Sequence, residues 1–95
     1  MSAYAIFDVD IRDMAKYREF MAGVKPALEK AGARYLARGD KHQVYEGDWS
    51  PRRIVLLEFP SLEAFETFYH GETYRSLKSI RDACSSARLV SVEGL

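Results

Sequence analysis

Hydrophobic and polar residues alternate near the start of the chain. Residues 4–11 have the sequence YAIFDVDI, and successive side chains of an extended chain point to opposite faces. One face holds Ala5, Phe7, Val9 and Ile11, and the other holds Tyr4, Ile6, Asp8 and Asp10. This two-residue period predicts a β-strand.

The next segment changes to a helical period. Its apolar residues recur every three or four positions and form one stripe: Met14, Tyr17, Phe20, Met21, Val24, Leu28 and Ala31. Asp13 is a suitable N-cap, and Gly32 suits the positive φ that commonly follows a last helical turn. Pro26 lacks a backbone donor, so we expect a kink or break near residues 23–25.

The remaining pattern predicts further strands and a second, interrupted helix. The extended segments are residues 33–38, 43–49, 53–59 and 88–93. In the first of these, alternation predicts that Arg34, Leu36 and Arg38 share one face. Ser61 is the expected N-cap of the second helix, whose apolar stripe is interrupted at His70-Gly71 and then continues to residue 84.

The element order β-α-β-β-α-β predicts one α+β domain over residues 1–95. Two strand–helix–strand units joined by a hairpin give a ferredoxin-like sandwich, in which an antiparallel four-stranded sheet carries both helices on one face. The chain has 95 residues, which suits a single small domain.

Both faces of the predicted sheet are apolar. In the strand RIVLLEF, residues Val55, Leu57 and Phe59 point one way, and Ile54 and Leu56 point the other. The helices of this fold cover one face only, and each large side chain left in water forfeits about 1.5–3 kcal/mol of burial. We therefore expect a homodimer that packs through the open sheet face, which is a dimeric α+β barrel.

Charge and composition narrow the classes of function. Fourteen basic residues balance fourteen acidic ones, which argues against a nucleic-acid or membrane partner. Ferredoxin-like RNA-binding domains display aromatic rings on their central strands, whereas RIVLLEF presents aliphatic side chains. Cys84, the single cysteine, has no partner for a disulfide or a zinc site, so we expect no metal, no cofactor and a cytoplasmic location.

Several motifs together resemble one family. They are YAIFDVDI, an Asp13-x-x-x-Tyr17 spacing, GARYLARG at residues 32–39, EGDW at 46–49, RIVLLEFPS at 53–61, and the second-helix residues Phe68, Tyr69, Tyr74, Leu77 and Arg81. In these the chain resembles the DUF1330 family of the dimeric α+β barrel superfamily. The resemblance implies the ferredoxin-like fold and the dimer. One departure is GETY at residues 71–74, where the family has Ser-Pro-Glu-Tyr and so a Ser cap.

Polar groups embedded in apolar elements are the candidates for ligand binding. They are Arg38, Glu46 and Arg53 near the strands, and Tyr17, Tyr69, Tyr74 and Arg81 on the helices. Guanidinium groups bind carboxylates and aromatic rings supply apolar walls, so we expect a cleft of about 300 Å³ for a small organic ligand. The alternative is that these charges are structural, and that they form the pairs Arg38–Glu46 and Arg53–Glu58 or face solvent at the ends of the sheet.

His70 and Glu58 are the candidate catalytic residues, with proton transfer as their expected role. Against this, a histidine at a helix end also suits the helix dipole as an ordinary C-terminal residue. Trp49 is expected at the dimer interface, where tryptophan is enriched, although it could also stack on a ligand.

Two hypotheses of function follow from these candidates. The first is a small-molecule-binding protein of the dimeric α+β barrel type, which extends to a cofactor-free enzyme acting on a small organic acid or aromatic compound. The alternative is a non-catalytic dimeric interaction or ligand-sensing domain. The two differ in whether the inward polar groups converge on one site or pair with one another.

Overall fold

The computed structural model describes residues 1–95 and has the ferredoxin-like architecture that the pattern predicts. Its elements are β1 (Ala3–Ile11), α1 (Met14–Lys30), β2 (Arg34–Gly39), β3 (Ile54–Phe59), α2 (Leu62–His70), α3 (Glu72–Cys84) and β4 (Ser85–Glu93). The four strands form one antiparallel sheet in the order β2-β3-β1-β4. No helix combines the length and hydrophobicity that crossing a membrane requires.

The core lies between the helices and one face of the sheet. Along β1 and β3 every second residue is buried, as the two-residue period predicts for a sheet with one covered face. The sheet contributes Ala5, Phe7, Val9, Val55, Leu57 and Phe59, and the helices contribute Tyr17, Phe20, Val24, Leu28, Phe65, Tyr74 and Cys84. The cysteine is therefore a small core residue.

The predicted helix ends are confirmed. The side chains of Asp13 and Ser61 accept from the backbone N–H of Lys16 and Ala64, at 3.2 and 3.0 Å. After α1, Ala33 N–H donates to the Leu28 carbonyl at 2.9 Å, and the intervening glycine has φ of +77°. This is the Schellman arrangement, which turns the chain sharply into β2.

The expected break at Pro26 is wrong, because α1 is continuous from Met14 to Lys30. Val24 and Leu28 are buried on either side of the proline, and their packing holds both parts of the helix against the core. One turn earlier, Gly23 lies so close to α3 that an added Cβ would be 2.5 Å from Leu77 Cδ2.

The interruption at His70-Gly71 is confirmed, and α3 begins without a side-chain cap, as its missing serine implies.

The prediction of an extended segment at residues 43–49 is also wrong, since these residues join no strand. The segment belongs to a long connection between β2 and β3. Within residues 41–50 only Val44 is not exposed, so the segment has no apolar face that pairing with the sheet would bury. Tyr45 and Trp49 are 89% and 55% exposed there.

A β-bulge changes the expected face of Arg38. Tyr35 is opposite Leu57, but the next pair is Ala37 opposite Leu56, so the register shifts by one residue within β2. Arg38 is consequently opposite the buried Val55 and lies on the helix side of the sheet, while Arg34 remains on the other side. Simple alternation placed the two arginines together, and that prediction is wrong.

The face of the sheet away from the helices, here called the open face, is crossed by three rows of paired residues. The middle row is Ala37, Leu56, Ile6 and Val90, and it is entirely apolar. Each flanking row carries an ion pair: Arg34–Glu58 at 2.6 Å on one side and Arg88–Asp8 at 2.9 Å on the other. No element of the chain covers this face, and Val90 remains 59% exposed.

Replacing Gly32 by alanine is expected to destabilise the fold by about 1–2 kcal/mol, because a side chain is strained at φ of +77°. The new Cβ would also lie 3.0 Å from Pro60 Cγ. Urea unfolding measures the change, and Glu29→Ala, at an exposed position of the same helix end, is the control. Equal stability of the two variants would contradict the assignment of Gly32.

Candidate functional site

A narrow cleft lies between the sheet and the helices α1 and α3, and we call it the inner cleft. Fourteen residues line it and twelve of them are hydrophobic, including Phe7, Tyr17, Phe20, Tyr35 and Tyr74. The two others are Arg38 and Arg81. The volume that the centres of water molecules could occupy in the inner cleft is about 30 Å³. Since one water needs about 10–15 Å³ on this measure, the cleft has room for about two water-sized groups.

Arg81 is the most unusual residue of the inner cleft. It is 5% exposed, and its guanidinium carbon lies 5.7 Å from the ring of Phe7 and 5.9 Å from that of Phe20. Such rings attract a cation and partly replace the water that burial removes. Nη1 donates to Tyr74 Oη, and Nη2 makes a long 3.4 Å contact with Asp82.

The Nε atom of Arg81 is buried and has no hydrogen-bond partner. Buried N–H groups are nearly always paired, and an unpaired one on a charged group is costly. None of the residues that line the inner cleft is acidic. Because Nη2 already forms an ion pair with Asp82, the group left without a partner is the buried Nε donor, from which a carboxylate ligand could accept a hydrogen bond.

Two tyrosines beside Arg81 remain protonated. Burial raises the pKa of Tyr74 to about 12, although the nearby Arg81 opposes this. Burial also raises the pKa of Tyr17, and Arg53 and Arg81 again act in the opposite direction. Because Tyr74 accepts a hydrogen bond from Arg81 and keeps its own proton, its hydroxyl can donate to a ligand in the inner cleft.

Arg38 stands where the inner cleft meets a wider groove. Its guanidinium carbon lies 4.7 Å from the centre of the Tyr35 ring, and it has no ion pair. The wider groove, here called the outer groove, runs between α1 and β2 and has a volume of about 500 Å³. Met21, Leu28, Tyr35 and Arg38 line both spaces. The inner cleft at Tyr74 and Arg81 is thus much smaller than the expected 300 Å³, and the larger outer groove is lined by Arg38 but by neither of those residues.

The remaining binding candidates are spread around this site. Arg53 lies close enough to Tyr17 to affect its pKa, and its buried Nε also lacks a partner. Tyr69 packs behind the inner cleft, with its ring centre 5.4 Å from that of Tyr74. Glu46 is exposed in the connection between β2 and β3.

The two catalytic candidates do not line the inner cleft. Glu58 is on the open face, where its carboxylate pairs with Arg34 at 2.6 Å. His70 is exposed at the end of α2, and its Nε2 is 3.1 Å from Glu66. The structure therefore separates both groups from the residues that could hold a ligand.

The two expected structural ion pairs are absent, but Arg38 and Glu46 are exposed, as the solvent-facing form of that alternative predicts. Glu58 pairs with Arg34 and not with Arg53, and Arg38 has no carboxylate within 4.0 Å. Four polar residues on the helix side of the sheet line one site: Arg38, Arg81, Tyr17 and Tyr74. The charged residues on the open face pair with each other instead. Phe20 and Tyr35 also line the site, but sequence reasoning did not identify them, because their pattern indicates only residues of the core.

Comparison with known proteins agrees with the fold. Residues 2–95 match the model of DUF1330, a domain of unknown function. Among curated proteins none matches the chain. Solved structures match it over nearly its whole length, but at low sequence identity.

One similar structure, of a protein of unknown function from Rhodopseudomonas palustris, is 20% identical with a TM-score of 0.80, covering 99% of this chain and 82% of the other. A dimeric ferredoxin-like protein of unknown function from Jannaschia sp. CCS1 is 13% identical with a TM-score of 0.75, covering 99% and 100%. SnoaB, a cofactor-independent oxygenase from Streptomyces nogalater, is 11% identical with a TM-score of 0.63, covering 99% and 91%. These likenesses show the fold.

The raised pKa of Tyr74 predicts a loss of stability at high pH. In the unfolded chain this tyrosine ionises near its ordinary pKa of 10.0, whereas in the folded protein burial raises its pKa to about 12. The free energy of unfolding should therefore fall as the pH rises between these values. Urea titrations of the wild type and Tyr74→Phe measure this, and the fall should be smaller in the variant. Parallel curves would contradict the assignment.

Proposed function

The chain belongs to the DUF1330 family, and we propose that it binds a small organic anion in the inner cleft. The observation that carries this proposal is the buried guanidinium of Arg81, whose Nε has no partner in a cleft without acidic lining. A ligand carboxylate would accept a hydrogen bond from Nε and match the positive charge.

The size of the two spaces supports a ligand with an acidic head and an apolar body. The inner cleft has room for about two water-sized groups, which suits the two oxygens of a carboxylate. The outer groove is large enough for the rest of a small molecule, and Met21, Leu28 and Tyr35 supply its apolar contacts. An aliphatic or aromatic carboxylic acid fits both requirements.

Binding is the activity that these residues support best. The lining residues include no histidine, aspartate or glutamate, and the raised pKa values of Tyr17 and Tyr74 keep both hydroxyls protonated at neutral pH. The inner cleft thus has no general base of its own. A ligand-binding or ligand-sensing protein is therefore proposed ahead of an enzyme.

We also propose that the chain forms a homodimer through the open face. The middle row of this face is apolar across all four strands, and one ion pair flanks it on each side. A surface of this pattern can pack on a copy of itself around a twofold axis. The Jannaschia structure is described as dimeric and shares the fold.

Ligand binding is tested with benzoate and hexanoate by isothermal titration calorimetry. Arg81→Gln should weaken binding of both acids by about tenfold or more, since it removes a charged hydrogen bond. Arg81→Lys keeps the charge without the planar donor set, and it should weaken binding even where the glutamine variant folds poorly.

The control is Arg75→Gln, which replaces an exposed arginine of the same helix and should bind as the wild type does. Folding of each variant is checked by thermal unfolding. Binding that is unchanged in a folded Arg81 variant would contradict the proposal, and so would a wild-type protein that binds no carboxylic acid.

The dimer is tested by placing a charge in the middle of the open face. Leu56→Lys should convert the dimer to a monomer in sedimentation experiments at micromolar concentration, because the lysine would be buried without a partner. Thr67→Lys, at an exposed position of α2, is the control and should remain dimeric. A wild-type protein that sediments as a monomer would refute the dimer.

A further inference from the structure

We propose that the ligand of the inner cleft is a diacid, with one acidic group on Arg81 and a second on Arg38. This inference rests on the proposed function and specifies its ligand class. The observation behind this inference is that the inner cleft is lined by two arginines and by no acidic residue. Arg81 already shares its Nη2 with Asp82 at 3.4 Å, whereas Arg38 has no carboxylate partner, so a monoacid held by Arg81 would leave the charge of Arg38 unmatched.

The backbone of β2 directs the side chain of Arg38 toward the cleft. The bulge in β2 turns its side chain away from the open face and toward the cleft, and bulges commonly re-aim side chains beside binding sites. No carboxylate of the chain pairs with it. Its guanidinium lies over the Tyr35 ring, which leaves the edge donors free for an acidic group.

The sheet register sets the spacing of the two positive groups. Arg38 is opposite Val55, and Val55 is opposite Phe7, so Arg38 and Phe7 lie two strands apart in one row. Two strand spacings separate their Cα atoms by about 10 Å. Since the Arg81 guanidinium lies 5.7 Å from the Phe7 ring, it is at the inner end of this row and Arg38 is at the outer end.

The surroundings agree with an acidic outer group. Besides Arg38, the charged side chains of the outer groove are Lys25 and the single acid Glu29, since the side chain of Arg34 lies on the open face and is paired with Glu58. The stretch between the two arginines is apolar, with Val55, Leu57 and Tyr35 along the cleft. These features favour a molecule with an apolar middle and an acid at each end.

Matched pairs of acids test the inference: adipate against hexanoate, suberate against octanoate, and terephthalate against benzoate. Affinities are measured by isothermal titration calorimetry on the full chain. At least one diacid should bind about tenfold more tightly than its monoacid, because the second charged hydrogen bond is added. This advantage should shrink as salt is raised, since Arg38 is exposed to solvent.

Variants assign the second contact. Arg38→Gln should lower the affinity of the diacid to about that of its monoacid and weaken the monoacid far less than the diacid. Arg81→Gln should weaken both. The control is Arg18→Gln, an exposed arginine on α1 without an ion pair, which should change neither affinity.

The outcomes separate the two proposals. If monoacids bind through Arg81 but no diacid binds more tightly, or if Arg38→Gln affects both classes equally, the diacid inference is overturned and the proposed function stands. If no acid of either class binds, the proposed function fails and the inference fails with it.

Discussion

The sheet of this protein has two apolar faces, and the chain supplies helices for only one. The covered face buries Phe7, Val55 and Leu57 beneath α1 and α3, while the open face leaves Ile6 and Leu56 without a cover of their own. Because the helices cover one face and not the other, the two faces have different roles. The proposed contacts between copies use the open face, and the inner cleft lies on the other side of the sheet, so the proposed dimer would leave one such cleft in each copy.

Burial of one charged residue then sets the chemistry of the covered side. Arg81 loses its water, and aromatic rings together with Tyr74 replace only part of it. The unpartnered Nε is a costly feature, and the proposed acid ligand would offset this cost by accepting a hydrogen bond from it. The same burial keeps Tyr74 protonated, so the site combines a fixed positive charge with a neutral hydroxyl donor.

Sequence pattern predicted the fold well because local periods carry most of it. The alternation in β1, the helical stripe of α1 and the caps at Asp13 and Ser61 all report interactions between near neighbours. Pro26 misled the expectation of a break because α1 is continuous through this position, with Val24 and Leu28 buried on either side of it. The prediction of a strand at residues 43–49 was wrong because β-propensity alone does not provide a neighbouring strand with which the segment can pair.

By itself the sequence determined the order of the elements, the two apolar sheet faces and the residue types available for binding. Only the tertiary structure decided which of them meet: it brought Arg38, Arg81, Tyr17 and Tyr74 to one cleft, and it left Glu58 and His70 outside. The physical reason is that a period fixes the face on which a side chain lies only while the register is regular. One bulge in β2 reverses that face for Arg38, and no local pattern in the sequence records it.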